Sequence, residues 1–206
     1  MPPSVPLVSH ASTILDRISM RASSAARWNG IRMLFVVFVA ILTAAAAQLS
    51  FPLPFTPVPF TIQPMVVLIG AAALGSRLGA LSQTFYLMLG VAGLPVFAFS
   101  PELPQGFARL VGPTGGYLMA YPLAACVTGW LAERGFDRHY GTSMLAMTVG
   151  LAVIFAGGVS WLANTVGWSA ALAAGLYPFI GVDLIKVMVA AAVLPSLWKF
   201  VGTDHQ

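Results

Sequence analysis

Asp183 and Lys186 stand three residues apart inside an apolar stretch that runs from about Pro178 to Phe200. An ionised side chain at the centre of a membrane helix costs about 2.5–3.5 kcal/mol on the insertion scale, so two together call for a compensating role. A spacing of three sets both on one helical face. At about 1.5 Å per residue they fall roughly 7–12 Å from the start of that helix, a depth that suits a pocket open to one side. There the carboxylate can accept an N–H, and the ammonium can donate to a carbonyl or a carboxylate. A structural pair that satisfies itself and fixes helix packing is the competing account. Gln83 and Tyr86 repeat the three-residue spacing in an earlier apolar segment. Gln83 offers a donor and an acceptor, and Tyr86 an amphipathic ring. Interhelical hydrogen bonding, typically under about 2 kcal/mol, accounts for both equally well. Nothing near these pairs suggests catalysis. His10, His139 and His205 lie far apart in polar sequence, and the single cysteine, Cys126, sits in an apolar run. One cysteine excludes an internal disulfide and a multi-cysteine metal site. The residues point to a ligand site, with no catalytic group, no metal and no cofactor.

The elements that must position such a site are hydrophobic helices. Of 206 residues, 58% are hydrophobic and only 8% charged, against roughly 25% charged in an ordinary soluble domain. So few charges cannot cover a water-facing surface, and the bilayer must take the excess apolar area. Six apolar segments approach the length of about 20 residues that spans a hydrocarbon core. They run from about Gly30 to Ser50, through Thr61 to Gly93 as two, from Thr114 to Glu133, from Ser143 to Asn164 and from Pro178 to Phe200. The pair within 61–93 is divided at Gly75-Ser76-Arg77-Leu78-Gly79, where an arginine between glycines marks a tight turn at the membrane edge. Six crossings put Arg17, Arg21, Arg27, Arg32, Arg77, Arg134, Arg138 and Lys199 on one side and only Arg109 on the other. Positive residues favour the cytoplasm, so both ends face inward. The net charge of +4 is thereby a topology signal and implies no nucleic-acid partner. The expected fold is an all-α integral membrane protein, a multi-pass bundle of six transmembrane helices in the cell membrane. Residues 1–29 form a cytoplasmic tail, 30–200 the transmembrane substrate-binding domain, and 201–206 a second cytoplasmic tail. The first tail lacks the continuous apolar region of a secretory signal, and a short interfacial helix from about Ser12 to Ser24 fits its pattern.

Between the first two segments, residues 51–60 alternate proline with bulky apolar side chains. Proline restricts its own φ and its predecessor's conformation, which makes the segment extended and stiff. It can serve as a lid over an apolar cavity or as a plain connector. The loop 93–113 carries Glu102 and Arg109, and Ala170 to Ala174 can form a short helical turn. Ala40, Ala44 and Ala47 make a small-residue stripe along which another helix can approach closely. Gly112-Pro-Thr-Gly-Gly116 lacks the lysine of a phosphate loop; Thr114 as a helix N-cap is its ordinary account. The two halves share no matched broken-helix pattern, which argues against an inverted-repeat carrier.

Taken together, these segments resemble BioY, the biotin-specific S component of energy-coupling factor (ECF) vitamin transporters. The resemblance rests on Phe-Thr-Pro-Val-Pro-Phe-Thr-Ile-Gln-Pro (55–64), Gly-Leu-Pro-Val-Phe (93–97), Gly-Pro-Thr-Gly-Gly-Tyr (112–117), and Asp183 with Lys186 after Pro178. It covers nearly all of 30–200 and leaves residues 1–29 outside. It implies a six-helix subunit without catalytic activity that captures biotin from outside. It also implies a transmembrane coupling subunit and cytoplasmic ATPase subunits as partners, with Ala40 and Ala44 facing the first of these. By the same resemblance Asp183 and Lys186 match the polar pair that contacts biotin, and Gln83 stands where some members place an amide contact. Biotin's ureido ring offers two N–H donors and a carbonyl, and the rest of the molecule is apolar apart from its carboxylate. An apolar cavity with a few convergent polar groups suits it. Lys186 can meet either the ureido carbonyl or the carboxylate. An S component for another vitamin, and an autonomous small-molecule carrier, are the alternatives.

Overall fold

The computed structural model describes residues 13–19, 25–101 and 103–201. His10, Arg21, Glu102 and His205 lie outside them, as do the side chains of Arg17 and Arg27. The described chain is mostly helical. Its helices are α1 (Ile14–Ser19), α2 (Ala25–Gln48), α3 (Gln63–Leu74), α4 (Ser76–Val91), α5 (Phe107–Val111), α6 (Gly115–Ala132), α7 (Tyr140–Val166), α8 (Trp168–Gly175) and α9 (Tyr177–Val201). Two short antiparallel strands, β1 (Ser50–Phe51) and β2 (Phe60–Thr61), pair Ser50 with Thr61 and Phe51 with Phe60. They close the base of the proline segment into a hairpin.

Among the described residues, three helical stretches are long and apolar enough to cross a membrane: Asn29–Gln48 of α2, all of α7, and Tyr177–Lys199 of α9. Helices α3 and α4 have 12 and 16 residues and fall short by length. Leu34, Leu123 and Ile185 leave 60% or more of their surface uncovered. Such side chains belong against lipid, and the chain is an integral membrane protein.

The expected turn within 61–93 sits at Gly75, whose φ of +85° ends α3 and begins α4. That left-handed conformation favours glycine. Glu133, at the end of α6, accepts from Ser76 N at 2.7 Å and from Ser76 Oγ at 2.9 Å. A carboxylate there satisfies an orphan N–H and complements the positive end of α4. Gly129 presses its face onto the Gly75–Ser76 backbone, where a methyl group would collide. Helices α6 and α7 approach equally closely through Gly116, Ala120 and Gly157. Without a hydrophobic drive between helices in lipid, small residues of this kind set the packing.

One end of the bundle is tied together by polar contacts between loops. Trp198 Nε1 donates to Asp137 Oδ2 at 2.6 Å, and Arg138 stacks over the Trp198 ring at 5.0 Å. Arg32 pairs with Asp16 of α1 at 2.6 Å, while Thr13 lies against Gly75. Exposed Arg77, Arg134, Arg138 and Lys199 all lie at this end. Only Ile14–Ser19 of the anticipated interfacial helix is described as helix, with Ile14 and Leu15 buried in the bundle.

Candidate functional site

At the opposite end a cavity lies between the hairpin, α3, α5, α6, α7 and α9. Apolar walls come from Val58, Pro59, Leu118, Ile154, Phe155 and Phe179. The polar groups come from separate elements. Asp183 and Lys186 stand on α9, Gln63 at the start of α3, Arg109 on α5, and Tyr117 and Tyr121 on α6.

Asp183 and Lys186 are a close ion pair, with Nζ 2.7 Å from Oδ1. Their side chains are only 7% and 12% exposed, so neither charge is solvated freely. Lys186 also donates to Thr61 O at 2.6 Å and lies 3.7 Å from the centre of the Phe60 ring. The lysine thus ties α9 to strand β2. An ammonium carries three donors, so one more hydrogen bond can be made toward the cavity.

Arg109 is the largest fully buried side chain among the described residues, 1% exposed. Its Nη2 donates to Ala98 O at 2.9 Å, while Nε and Nη1 have no partner among the described residues. Leaving charged donors buried and unpaired is costly, and a guanidinium presents a planar fork that matches a carboxylate. Thr114 occupies the N-cap position of α6, but its side chain makes no capping bond. Its hydroxyl is buried, unpartnered and part of the cavity wall. The N-cap account therefore holds for the position and fails for the hydrogen bond.

Tyr86 is wholly buried and stands behind the cavity wall. Its hydroxyl accepts from Gln63 Nε2 at 2.8 Å and donates to Val96 O at 3.2 Å. Its ring packs edge-on against Phe97 and stacks with Tyr121, at centroid distances of 5.6 and 6.5 Å. It supports two wall residues without being one. Gln83 lies elsewhere, its Nε2 3.2 Å from Thr43 Oγ1 in the contact between α2 and α4. Ala40 is wholly buried and Ala44 half-buried. These alanines pack inward because their small size lets α2 close on its neighbours. The outward face of α2 includes Leu34, Val37, Phe38, Ile41, Leu42 and Ala45.

Sequence reasoning missed Arg109, Gln63 and Thr114 as wall residues. For Arg109 a signal was present, since it is the lone arginine on the side opposite the others. Gln63 offered less, being one amide in a proline-rich stretch.

The comparisons with known proteins agree with one another. The model of the BioY family matches residues 20–203. A probable biotin transporter BioY of Pyrococcus horikoshii is 41% identical over 164 residues, covering 80% of this chain and 93% of that protein. The biotin transporter BioY of Thermotoga maritima is 38% identical, covering 79% and 92%. A crystal structure of the S-component for biotin from an ECF-type ABC transporter superposes with a TM-score of 0.74 at 24% identity. It covers 86% of this chain and 95% of that one, so the fold is shared. By the extent of the family match and the identity to these relatives, the chain belongs to the BioY family.

Proposed function

We propose that this chain is the substrate-binding subunit of an ECF-type vitamin transporter and captures biotin from the outer side of the cell membrane. The observation that carries this reading is the polar complement of one apolar cavity. A carboxylate–ammonium pair, an amide and a buried, half-satisfied guanidinium line the same space. Asp183 accepts a ureido N–H, Lys186 donates to the ureido carbonyl, and Gln63 completes that end. Arg109 and the Thr114 hydroxyl hold the carboxylate, while Phe155 and Phe179 flank the apolar ring and chain. Tyr86 acts through Gln63 and Tyr121. The hairpin 50–61 is the lid, since Val58, Pro59 and Thr61 form part of the cavity wall.

In this reading α2, α3, α4, α6, α7 and α9 cross the membrane with both chain ends in the cytoplasm. The clustering of Arg77, Arg134, Arg138 and Lys199 at the end remote from the cavity supports that orientation. The subunit works with a transmembrane coupling subunit and cytoplasmic ATPases, meeting the former across α2. It carries out no chemistry itself, as the relatives' names as transporters suggest. Uptake of labelled biotin by biotin-auxotrophic cells tests the reading. Cells making this chain with a coupling module should accumulate the vitamin and grow on low biotin. No uptake from a correctly inserted chain with an active module would contradict it.

A further inference from the structure

Helix α8 ends with two carbonyls that no helical donor reaches, and the chain uses each for a different purpose. The Ala174 carbonyl would accept from residue 178 in a continuing helix, but that residue is Pro178 and has no N–H. The next donor, Phe179 N, goes to Leu176 O at 3.0 Å. Helix ends must find other partners for such carbonyls. Here Thr56 Oγ1, at the tip of the hairpin, donates to Ala174 O at 2.7 Å. Tyr117 OH, from the cavity wall, donates to Gly175 O at 2.8 Å. A side chain at Gly175 would collide with that hydroxyl. Adjacent carbonyls thus join the tip of the hairpin and the wall of the cavity to one helix end.

We infer that Thr56 is a positioning residue for ligand exchange, latching the hairpin to the end of α8 and setting how fast the cavity opens. This rests on the reading of 50–61 as the lid of a biotin site. Thr56 is absent from the lining of that cavity and faces the outer surface among Pro52, Phe55 and Pro101. Its hydroxyl also accepts from Val58 N at 3.1 Å. The opposite side of the hairpin is held separately, by Lys186 on Thr61 O and by Ser50 Oγ on Phe99 O at 3.0 Å. Opening the tip therefore breaks this hydrogen bond to α8, together with the packing of Leu53 and Val58 on the core, while the base stays fixed. A bond that touches no ligand atom holds the lid closed over an empty and a filled cavity alike. It cancels from the dissociation constant and appears in both rates.

The test is stopped-flow measurement of biotin association and dissociation with the purified full chain, comparing Thr56→Val, Thr56→Ala and Thr56→Ser. Removing the hydroxyl should speed both rates about three- to tenfold, the range of one net hydrogen bond, and leave the dissociation constant within about twofold. Thr56→Ser keeps the donor and should restore wild-type rates. Unchanged rates in a hydroxyl-free variant that binds biotin would overturn the latch, as would equal acceleration in Thr56→Ser. A wild-type chain that binds no biotin would instead overturn the assignment of the site.

Discussion

Lys186 Nζ lies 2.6 Å from the carbonyl oxygen of Thr61, a residue 125 positions earlier in the chain. The same ammonium is 2.7 Å from Asp183. One side chain therefore joins the acidic group of the cavity to the strand that borders it. This relationship bears on a tension in the sequence, where two opposite charges at a spacing of three could be a ligand site or a self-satisfied pair. They are paired, yet the pair forms a cavity wall and retains donor capacity.

Asp183→Asn and Lys186→Met should each weaken biotin binding. Losing a hydrogen bond to a charged group costs about 1.5–3 kcal/mol, or roughly one to two powers of ten in the dissociation constant. Removing one partner also strands the other charge, so both single variants should insert or fold less well than the double variant. Equilibrium binding and detergent melting curves check both points. A double variant that folds and binds biotin normally would make the pair structural.

Gln63 and Gln83 should separate cleanly. Gln83 Oε1 is buried without a partner, and its amide bonds only within the helix contact. Gln83→Met keeps the volume and removes that orphan, so stability should hold or rise, with biotin affinity unchanged. Gln63→Met should lose about tenfold in affinity. The opposite ranking in a binding assay would return the amide contact to Gln83.

On α2 the buried and exposed small residues should behave differently. Ala40→Leu forces extra volume into a packed interior and should cost about 1–3 kcal/mol of stability. Ala45→Trp alters only the outward face. It should leave melting and biotin affinity intact and reduce co-purification with the coupling subunit. Loss of partner binding with Ala40→Leu at undiminished stability would restore the buried stripe as the docking face.

Asp137 gives a pH signature at the loop end of the bundle. Burial pushes its carboxyl up from the ordinary carboxylate range, against the opposing Trp198 hydrogen bond and the Arg138 charge. A carboxyl that holds its proton more tightly when folded favours the fold at low pH, and that contribution fades as pH rises through its folded-state value. Asp137→Asn keeps an acceptor for Trp198 and removes the buried charge. Relative to wild type it should gain thermal stability as pH rises, with the smallest difference under acid conditions. A variant destabilised equally at every pH would show that the ionised form is the stabilising one.

The helices were legible because lipid rewards long apolar runs, and the Gly75 turn because an arginine between glycines has few other uses. Both ends of α7 and the start of α2 lie a few residues outside the expected segments, since a helix does not stop where hydrophobicity does. The interior of the bundle was harder to read. Small and polar residues at helical spacing face inward or outward equally well until neighbours are placed, which is why the burial of Ala40 and the Gln83–Thr43 contact could not be read from spacing. Arg109 was hidden for another reason. Its burial depends on α5 and on the Ala98 carbonyl, contacts that local sequence does not encode.

The central claim is that one cavity recognises both ends of biotin. Calorimetric titration of the purified chain with biotin and with its methyl ester, using wild type and Arg109→Met, tests it most directly. Wild type should bind biotin stoichiometrically and the ester about ten- to a hundredfold more weakly, because the ester lacks the charge that Arg109 meets. Arg109→Met should bind both equally and weakly. Saturable wild-type binding with no preference for the free acid, or none at all, would contradict the account.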